Sequence, residues 1–218
     1  MNLKKNKLKI ALSFSHYNFI YKNISSLKNI NILEFGVRDG YSTSMFLDIC
    51  NKNQGSLISV DINDYSSLFK NKNWVFLKSR DDNFNFVKKH IKKKLDVIFI
   101  DSYHEPNHIA KILYFYYKFL KKDGVIYIDD ISWIPYIKNS YRTNSWNEMI
   151  NRKTFSKILE IYFNNLKNLR LEFCFDNSGM AKLIKKTNKI LNKSKIVFNT
   201  EFSLKNYFRR AFNIQPKK

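Results

Sequence analysis

The sequence predicts an α/β fold, a doubly wound sheet of seven strands with helices on both faces, and three observations carry that prediction. Short apolar, β-branched runs alternate with helix-patterned stretches through most of the chain. The runs Asn31–Phe35, Leu57–Asp61, Trp74–Lys78, Asp96–Asp101 and Val125–Asp129 have the continuous apolar character of parallel strands covered on both sides. Leu169–Phe175 and Met180–Ile184 then flank Asp176-Asn177-Ser178-Gly179, so turn chemistry joins them as an antiparallel hairpin after the five parallel strands.

Each connecting element has its own signal. Met45, Phe46, Ile49 and Cys50 form a helical stripe after the first strand. Ile109, Ile112, Leu113, Tyr116, Tyr117 and Leu120 recur at helical spacing, with Pro106 as a start and Asp123-Gly124 as a stop. A loop holding Trp133, Pro135 and Tyr136 leads to a further helix from Trp146 to Asn164. Residues 1–186 read as one domain with a helical lead-in over 1–29, and residues 187–218 as a basic tail.

Composition narrows the classes. At 218 residues and 44% apolar, the chain can bury a substantial core and is not disordered. Two cysteines, Cys50 and Cys174, make no disulfide framework, which points to a reducing cytoplasm. No apolar run reaches the length of a membrane span, and Lys9 breaks the apolar stretch of the opening segment, against a signal peptide. The net charge of +21 invites a nucleic-acid reading. However, only 7 of the 39 basic residues are arginine, and the lysines are spread along the whole chain. That is the pattern of a lysine-rich coding bias, so no specific nucleic-acid partner is expected, although any anionic partner is attracted.

Residues 101–108 read DSYHEPNH, and the last five letters match the zinc-protease pattern H-E-x-x-H. A zinc site of that kind needs both histidines on one helix. Pro106 keeps Glu105 out of the α region and suits the first position of a helix, so His104 precedes the helix and His108 lies within it. The motif spans a strand-to-helix junction and is not read as a zinc-protease site. His108 reads as structural or solvent-facing.

The first strand runs into Glu34-Phe35-Gly36-Val37-Arg38-Asp39-Gly40-Tyr41-Ser42. A glycine-bearing turn between strand and helix brings a ligand close to the backbone and to the positive end of the helix. Arg38 and Tyr41 stand where dinucleotide enzymes have their second and third glycines, which disfavours NAD and FAD. An acidic end to the second strand, Asp61, suits a ribose, because a carboxylate can accept from both hydroxyls.

The segments ILEFGVRDGYST, SVDIND and DVIFIDSYHEPNHIAKILYFYYKFLKKDGVIYIDD resemble class I S-adenosylmethionine-dependent methyltransferases, in particular the small-molecule, sugar-type O-methyltransferase branch. The resemblance spans roughly residues 30 to 185 and implies a Rossmann-like sheet closed by the hairpin. It implies that Glu34, Gly36, Gly40 and Ser42 shape the methionine end of the cofactor pocket. Asp61 with Ile62 would hold the ribose, Ser79-Arg80-Asp81 would lie along the adenine, and Asp101 would border the cofactor.

Ligands in an open parallel sheet sit beyond the carboxyl ends of the strands. Asp101 closes the fourth strand and Asp129-Asp130 the fifth. If these strands are neighbours, about 4.8 Å apart, the three carboxylates converge and repel. A hard divalent cation relieves that repulsion, and carboxylate oxygens select magnesium, calcium or manganese over zinc, with magnesium the expected ion, although Asp129 and Asp130 share an ion only where the strand is already ending. His104, just after Asp101, is placed to take a proton from a hydroxyl nucleophile. The resulting expectation is a metal-assisted methyl transfer to a small hydroxylated acceptor, a sugar or glycan precursor, with Asp101, Asp129 and Asp130 on the metal and His104 and Asp101 in catalysis. The rival readings are an RNA methyltransferase, favoured by charge alone, and a non-catalytic cofactor-binding module.

In the tail, Ser203 can cap a helix whose Leu204, Tyr207, Phe208, Ala211 and Phe212 share a face, with Lys205, Arg209 and Arg210 off it. Such a helix can lie on the inner surface of an anionic membrane, pack on its own domain, or seat a second subunit of a homo-oligomer.

Overall fold

The computed structural model describes residues 3–132, 145–176, 178–193 and 204–212. Two helices lead in, α1 (Leu3–Ser13) and α2 (Ser15–Ile24), followed by β1 (Asn31–Phe35), α3 (Tyr41–Asn53), β2 (Ser56–Asp61), β3 (Trp74–Lys78), α4 (Phe84–Lys88), β4 (Leu95–Ile100), α5 (Pro106–Tyr116) and β5 (Leu120–Asp129). The chain continues through α6 (Ser145–Phe163), β6 (Leu169–Cys174), β7 (Met180–Lys185) and α7 (Leu204–Ala211). The expected loop with Trp133, Pro135 and Tyr136, and the Ser203 cap, fall outside the described residues.

The seven strands form one sheet in the order β3-β2-β1-β4-β5-β7-β6. The first five are parallel, and β7 runs antiparallel to both β5 and β6. This is the expected doubly wound, Rossmann-like sheet closed by a hairpin. The order reverses between β1 and β4, so a crevice opens beyond their carboxyl ends.

Strand alternation sorts the core into two layers. Leu33, Phe35, Ile98 and Ile100 face α5 and α6, where Ile109, Leu113, Tyr116, Ile158 and Ile161 are buried. Ile32, Val97, Phe99 and Tyr127 face α2 and α3 and meet Ile20, Ile24, Met45, Phe46 and Ile49. Glu34 falls on this second face by its parity, beneath the first turn of α3.

The largest departure from expectation lies between the end of α5 and the start of β5; β2, β4, α6, β6 and β7 shift by one residue at one or both ends. The helix begins at Pro106 as predicted, with the Glu105 carboxylate accepting from the backbone N–H of His108 at 2.8 Å. It ends at Tyr116, passes through a 3-10 turn at Tyr117–Phe119, and the chain joins the sheet from Leu120 with a register shift before Val125. The apolar stripe continues past the helix because Tyr117 and Leu120 stay buried, while lysine side chains take up the carbonyls of Tyr117, Lys118 and Leu120.

Candidate active site

Beyond the carboxyl ends of β1, β2 and β4 lies a cavity of about 630 Å³, bordered by Gly36, Asp61, Ile62, Ser79, Asp81 and Asp101 among others. That volume is within the range of about 300–1,000 Å³ usual for small-molecule sites. Gly36 adopts φ +92°, and a Cβ there would lie 2.0 Å from the Asp101 carbonyl oxygen. Only glycine lets the β1 turn and the end of β4 come this close. Gly40, at φ +73°, starts α3 against the Phe69 ring.

Glu34 does not border the cavity. It is fully buried and accepts from Ser42 Oγ at 2.7 Å, Thr43 Oγ1 at 2.8 Å and Ser59 Oγ at 2.6 Å. Burial pushes its pKa up to about 7, against those three hydroxyls, which favour the ionised form. It thereby ties the start of α3 to β1 and β2, and with Gly40 and Ser42 it forms the layer behind the turn.

Asp61 stands at the cavity wall. One of its oxygens accepts from the backbone N–H of Val37 at 2.8 Å, the other from Asn63 at 2.9 Å. Each oxygen keeps a further acceptor site. Asp81 is held from the other side: Ser102 Oγ donates at 2.5 Å, and His108 Nε2 lies 2.9 and 3.0 Å from its two oxygens. Asp82 turns outward instead, to Arg80 and Lys111, and the Arg80 guanidinium holds its carboxyl well below the usual range. His108 therefore has a definite task that the sequence reading missed, anchoring an acid 27 residues away. Its position one turn into α5, facing the junction, was the available signal.

Ile62 and Tyr103, each 65% exposed, add an apolar border. A cavity lined by the carboxylates Asp61, Asp81 and Asp101 beside these apolar side chains fits S-adenosylmethionine. Asp61 would accept from the ribose, Asp81 and Ser79 would border the base, and the Gly36 turn would receive the methionine arm.

Next to this cavity, Asp101, His104 and Asp130 bring one ligand atom each within 4.8 Å of one another. His104 Nε2 lies 3.4 Å from Asp101 Oδ1 and 3.5 Å from Asp130 Oδ2. Burial opposes charge on His104, but the two carboxylates prevail and raise its pKa to about 9. Burial likewise raises Asp101, with His104 pulling the other way. Asp130 adopts φ +56°, a left-handed turn that ends the strand.

Asp129, grouped with these acids from the sequence, is turned away. Its Oδ1 accepts from Ser178 Oγ at 2.7 Å and from the Asp130 backbone at 2.8 Å, and its Oδ2 is 3.7 Å from His16 Nε2. Successive strand residues point to opposite faces, so His104 takes the third place in the cluster. The sequence reading expected a helical lead-in over 1–29 but gave α2 no part in the site. His16 is buried beside Asp129, and Tyr17 packs on His16 and Phe99. Burial and the nearby carboxylates, Asp101 foremost, push the Tyr17 hydroxyl's pKa well up. No short motif marks these residues, which reach the acids only because α2 packs over β1 and β4.

Residues 33–131 match the family model of a methyltransferase domain. No curated protein sequence matches the chain. Among solved structures, a putative caffeoyl-CoA O-methyltransferase from Staphylococcus aureus is similar at 18% identity and TM-score 0.59, over 80% of this chain and 83% of that one. MycE methyltransferase from the mycinamycin biosynthetic pathway, in complex with Mg, SAH and mycinamycin VI, is similar at 15% identity and TM-score 0.59, over 84% of this chain and 51% of MycE. The chain thus spans about half of MycE's length. A putative rRNA-methylase from Clostridium thermocellum is similar at 12% identity and TM-score 0.59, over 78% of this chain and 95% of that one. These likenesses concern the fold, while the family model covers the segment that carries the Gly36 turn, Asp61 and the Asp101–Asp130 pair. Residues 33–131 thus carry a methyltransferase domain, set in the fold shared with these structures.

Proposed function

We propose that this enzyme moves a methyl group from S-adenosylmethionine to a hydroxyl of a small acceptor, a sugar or glycan precursor, with a divalent cation at Asp101 and Asp130 and His104 as proton acceptor. The observation that carries the proposal is the gathering of Asp101, His104 and Asp130 beside the cofactor cavity, with Asp101 common to both. The oxygen-rich part of this set suits a hard cation such as magnesium. When bound, such a cation would lower the pKa of an acceptor hydroxyl.

The chain's own residues do the remainder. Asp101 and Asp130 hold the edge of the acceptor site in a fixed spacing set by the β4–β5 pairing. Without a cation the two carboxylates hold His104 protonated near neutrality, its pKa being about 9; a cation at Asp101 and Asp130 would neutralise them and leave Nε2 open to the proton leaving the acceptor. Gly36 sets the cofactor turn against the Asp101 carbonyl, which brings donor and acceptor regions together. The MycE complex, with Mg, SAH and a natural product together, supports the combination of cation, cofactor and small acceptor on this fold. The net charge of +21 favours an RNA acceptor as the second reading.

The test is methyl transfer from labelled S-adenosylmethionine to a panel of sugars and to RNA, with magnesium and with EDTA, for the wild type, His104→Ala and Asp130→Asn. The proposal expects turnover to fall by ~100-fold or more in both variants and in EDTA, while cofactor affinity measured by calorimetry stays within about threefold. Undiminished turnover in both variants would end the base-and-cation mechanism. EDTA-insensitive methylation of RNA would establish the rival.

A further inference from the structure

A second cavity, of about 280 Å³, opens at the opposite end of the sheet and is bordered by Lys94, Lys118, Lys185, Lys189, Tyr114 and Asn188 among others. Lys94 directly precedes β4, and Lys185 ends the antiparallel β7, so both lie at the amino ends of the parallel strands. The six residues of β4, at about 3.3 Å each, place this cavity ~20 Å from Asp101.

Part of the lysine cluster has a local explanation. Lys185 is buried, and its Nζ donates to the carbonyls of Leu120 at 2.8 Å and Tyr117 at 3.3 Å. Lys94 Nζ donates to the Lys118 carbonyl at 2.7 Å. Ammonium groups at the end of a helix satisfy its last carbonyls and its negative pole. That role accounts for Lys94 and Lys185; Lys118 Nζ instead lies over the Phe115 ring at 4.2 Å, a contact that leaves its donors open, and among the described residues Lys189 caps no carbonyl of the helix end. Nor does capping account for Tyr114, whose hydroxyl is buried with no hydrogen-bond partner among the described residues. Four cations border one small cavity, and among the described residues none of them has a carboxylate within ion-pair distance. The nearby Asp96 is taken by Lys121 at 2.7 Å. An ammonium has three donors, so Lys94 and Lys185 keep some free after capping the helix. Lys185 is buried while Lys94, Lys118 and Lys189 are exposed; like charges gathered round one cavity repel, a buried hydroxyl without a partner is costly, and a bound anion with several acceptor oxygens would relieve both.

We infer that this cavity is an anion-binding site for a small phosphorylated molecule, a phosphate monoester or a pyrophosphate. Lys118 and Lys189 neutralise it, Lys94 and Lys185 form its floor, and the Tyr114 hydroxyl and Asn188 amide donate at its rim. A phosphate offers the oxygens and the double charge that such a set of donors matches. The inference stands apart from the methyl-transfer reading, because it uses none of the same residues.

The test is calorimetric titration of the full chain with inorganic pyrophosphate at constant ionic strength. The inference expects saturable binding at one site, weakened ~tenfold or more by Lys118→Ala/Lys189→Ala and ~threefold by Tyr114→Phe, as loss of charged and neutral donors predicts. Lys88→Ala/Lys89→Ala removes the same charge from the exposed end of α4 and its cap and should leave the affinity unchanged. Circular dichroism melting confirms that each variant is folded; the helix-capping Lys94 and Lys185 are left intact for that reason. Equal weakening in the two double variants, or no saturable binding, would reduce the effect to the overall charge and overturn the site. Tighter binding of a single-stranded oligonucleotide through the same lysines would overturn its assignment to a small ligand.

Discussion

Replacing Glu34 with glutamine tests whether one buried carboxyl makes this fold more stable in mild acid than above neutrality. Glu34 is completely buried, and burial raises its pKa from 4.5 to about 7. In the unfolded chain the group titrates at the ordinary 4.5. Between those values the folded state keeps the proton and the unfolded state releases it, so stability from this group falls as the pH rises through the window. Below 4.5 both states are protonated and above 7 both are ionised, and its pH dependence vanishes. The gap between the two values, at ~1.4 kcal/mol per tenfold change, amounts to roughly 3 kcal/mol. Glutamine keeps the shape and an acceptor oxygen but cannot ionise. Urea unfolding of both proteins at pH 5 and pH 8 measures the effect directly. The wild type should lose roughly 2–3 kcal/mol more than Glu34→Gln between the two conditions, since part of the loss has already occurred at pH 5. Asp101 and Asp129 also have raised pKa values, but they are present in both proteins and cancel in the comparison. Parallel pH dependences, within about 0.5 kcal/mol, would refute the argument that burial outweighs the three hydroxyl donors.

Three further outcomes follow from the geometry. Gly36→Ala forces a Cβ to 2.0 Å from a backbone oxygen at φ +92° and should destabilise the protein by about 2–6 kcal/mol, with loss of S-adenosylmethionine binding in calorimetry. His108→Ala removes the partner of the buried Asp81 and should cost ~1–3 kcal/mol in thermal or urea unfolding, with cofactor affinity weakened about tenfold; an unchanged affinity would remove Asp81 from the site. Deleting residues 187–218 should abolish sedimentation with anionic liposomes if α7 is a membrane anchor, because Leu204, Tyr207, Phe208 and Phe212 are all exposed on it beside Lys205 and Arg209; equal binding by both chains would exclude that role.

What the sequence determined by itself is the succession of elements and the chemistry at their ends. Strand runs bury both faces and therefore read as continuous apolar stretches, and Pro106 fixes the start of α5 through its locked φ, so β4 had to end near Asp101. The hairpin was legible because its turn residues lie directly between two apolar runs that pair with each other. Only the tertiary structure decided which acids meet. The order β1-β4-β5 puts Asp101 and Asp130 side by side, while strand parity and the turn at Asp130 send Asp129 to Ser178 and bring in His104. The pairing of His108 with Asp81, and the reach of α2 across β1 and β4 to Asp129, join residues that share no local period. Periodicity records the face on which a side chain lies. Its partner across the fold is set by packing, which a single sequence does not carry.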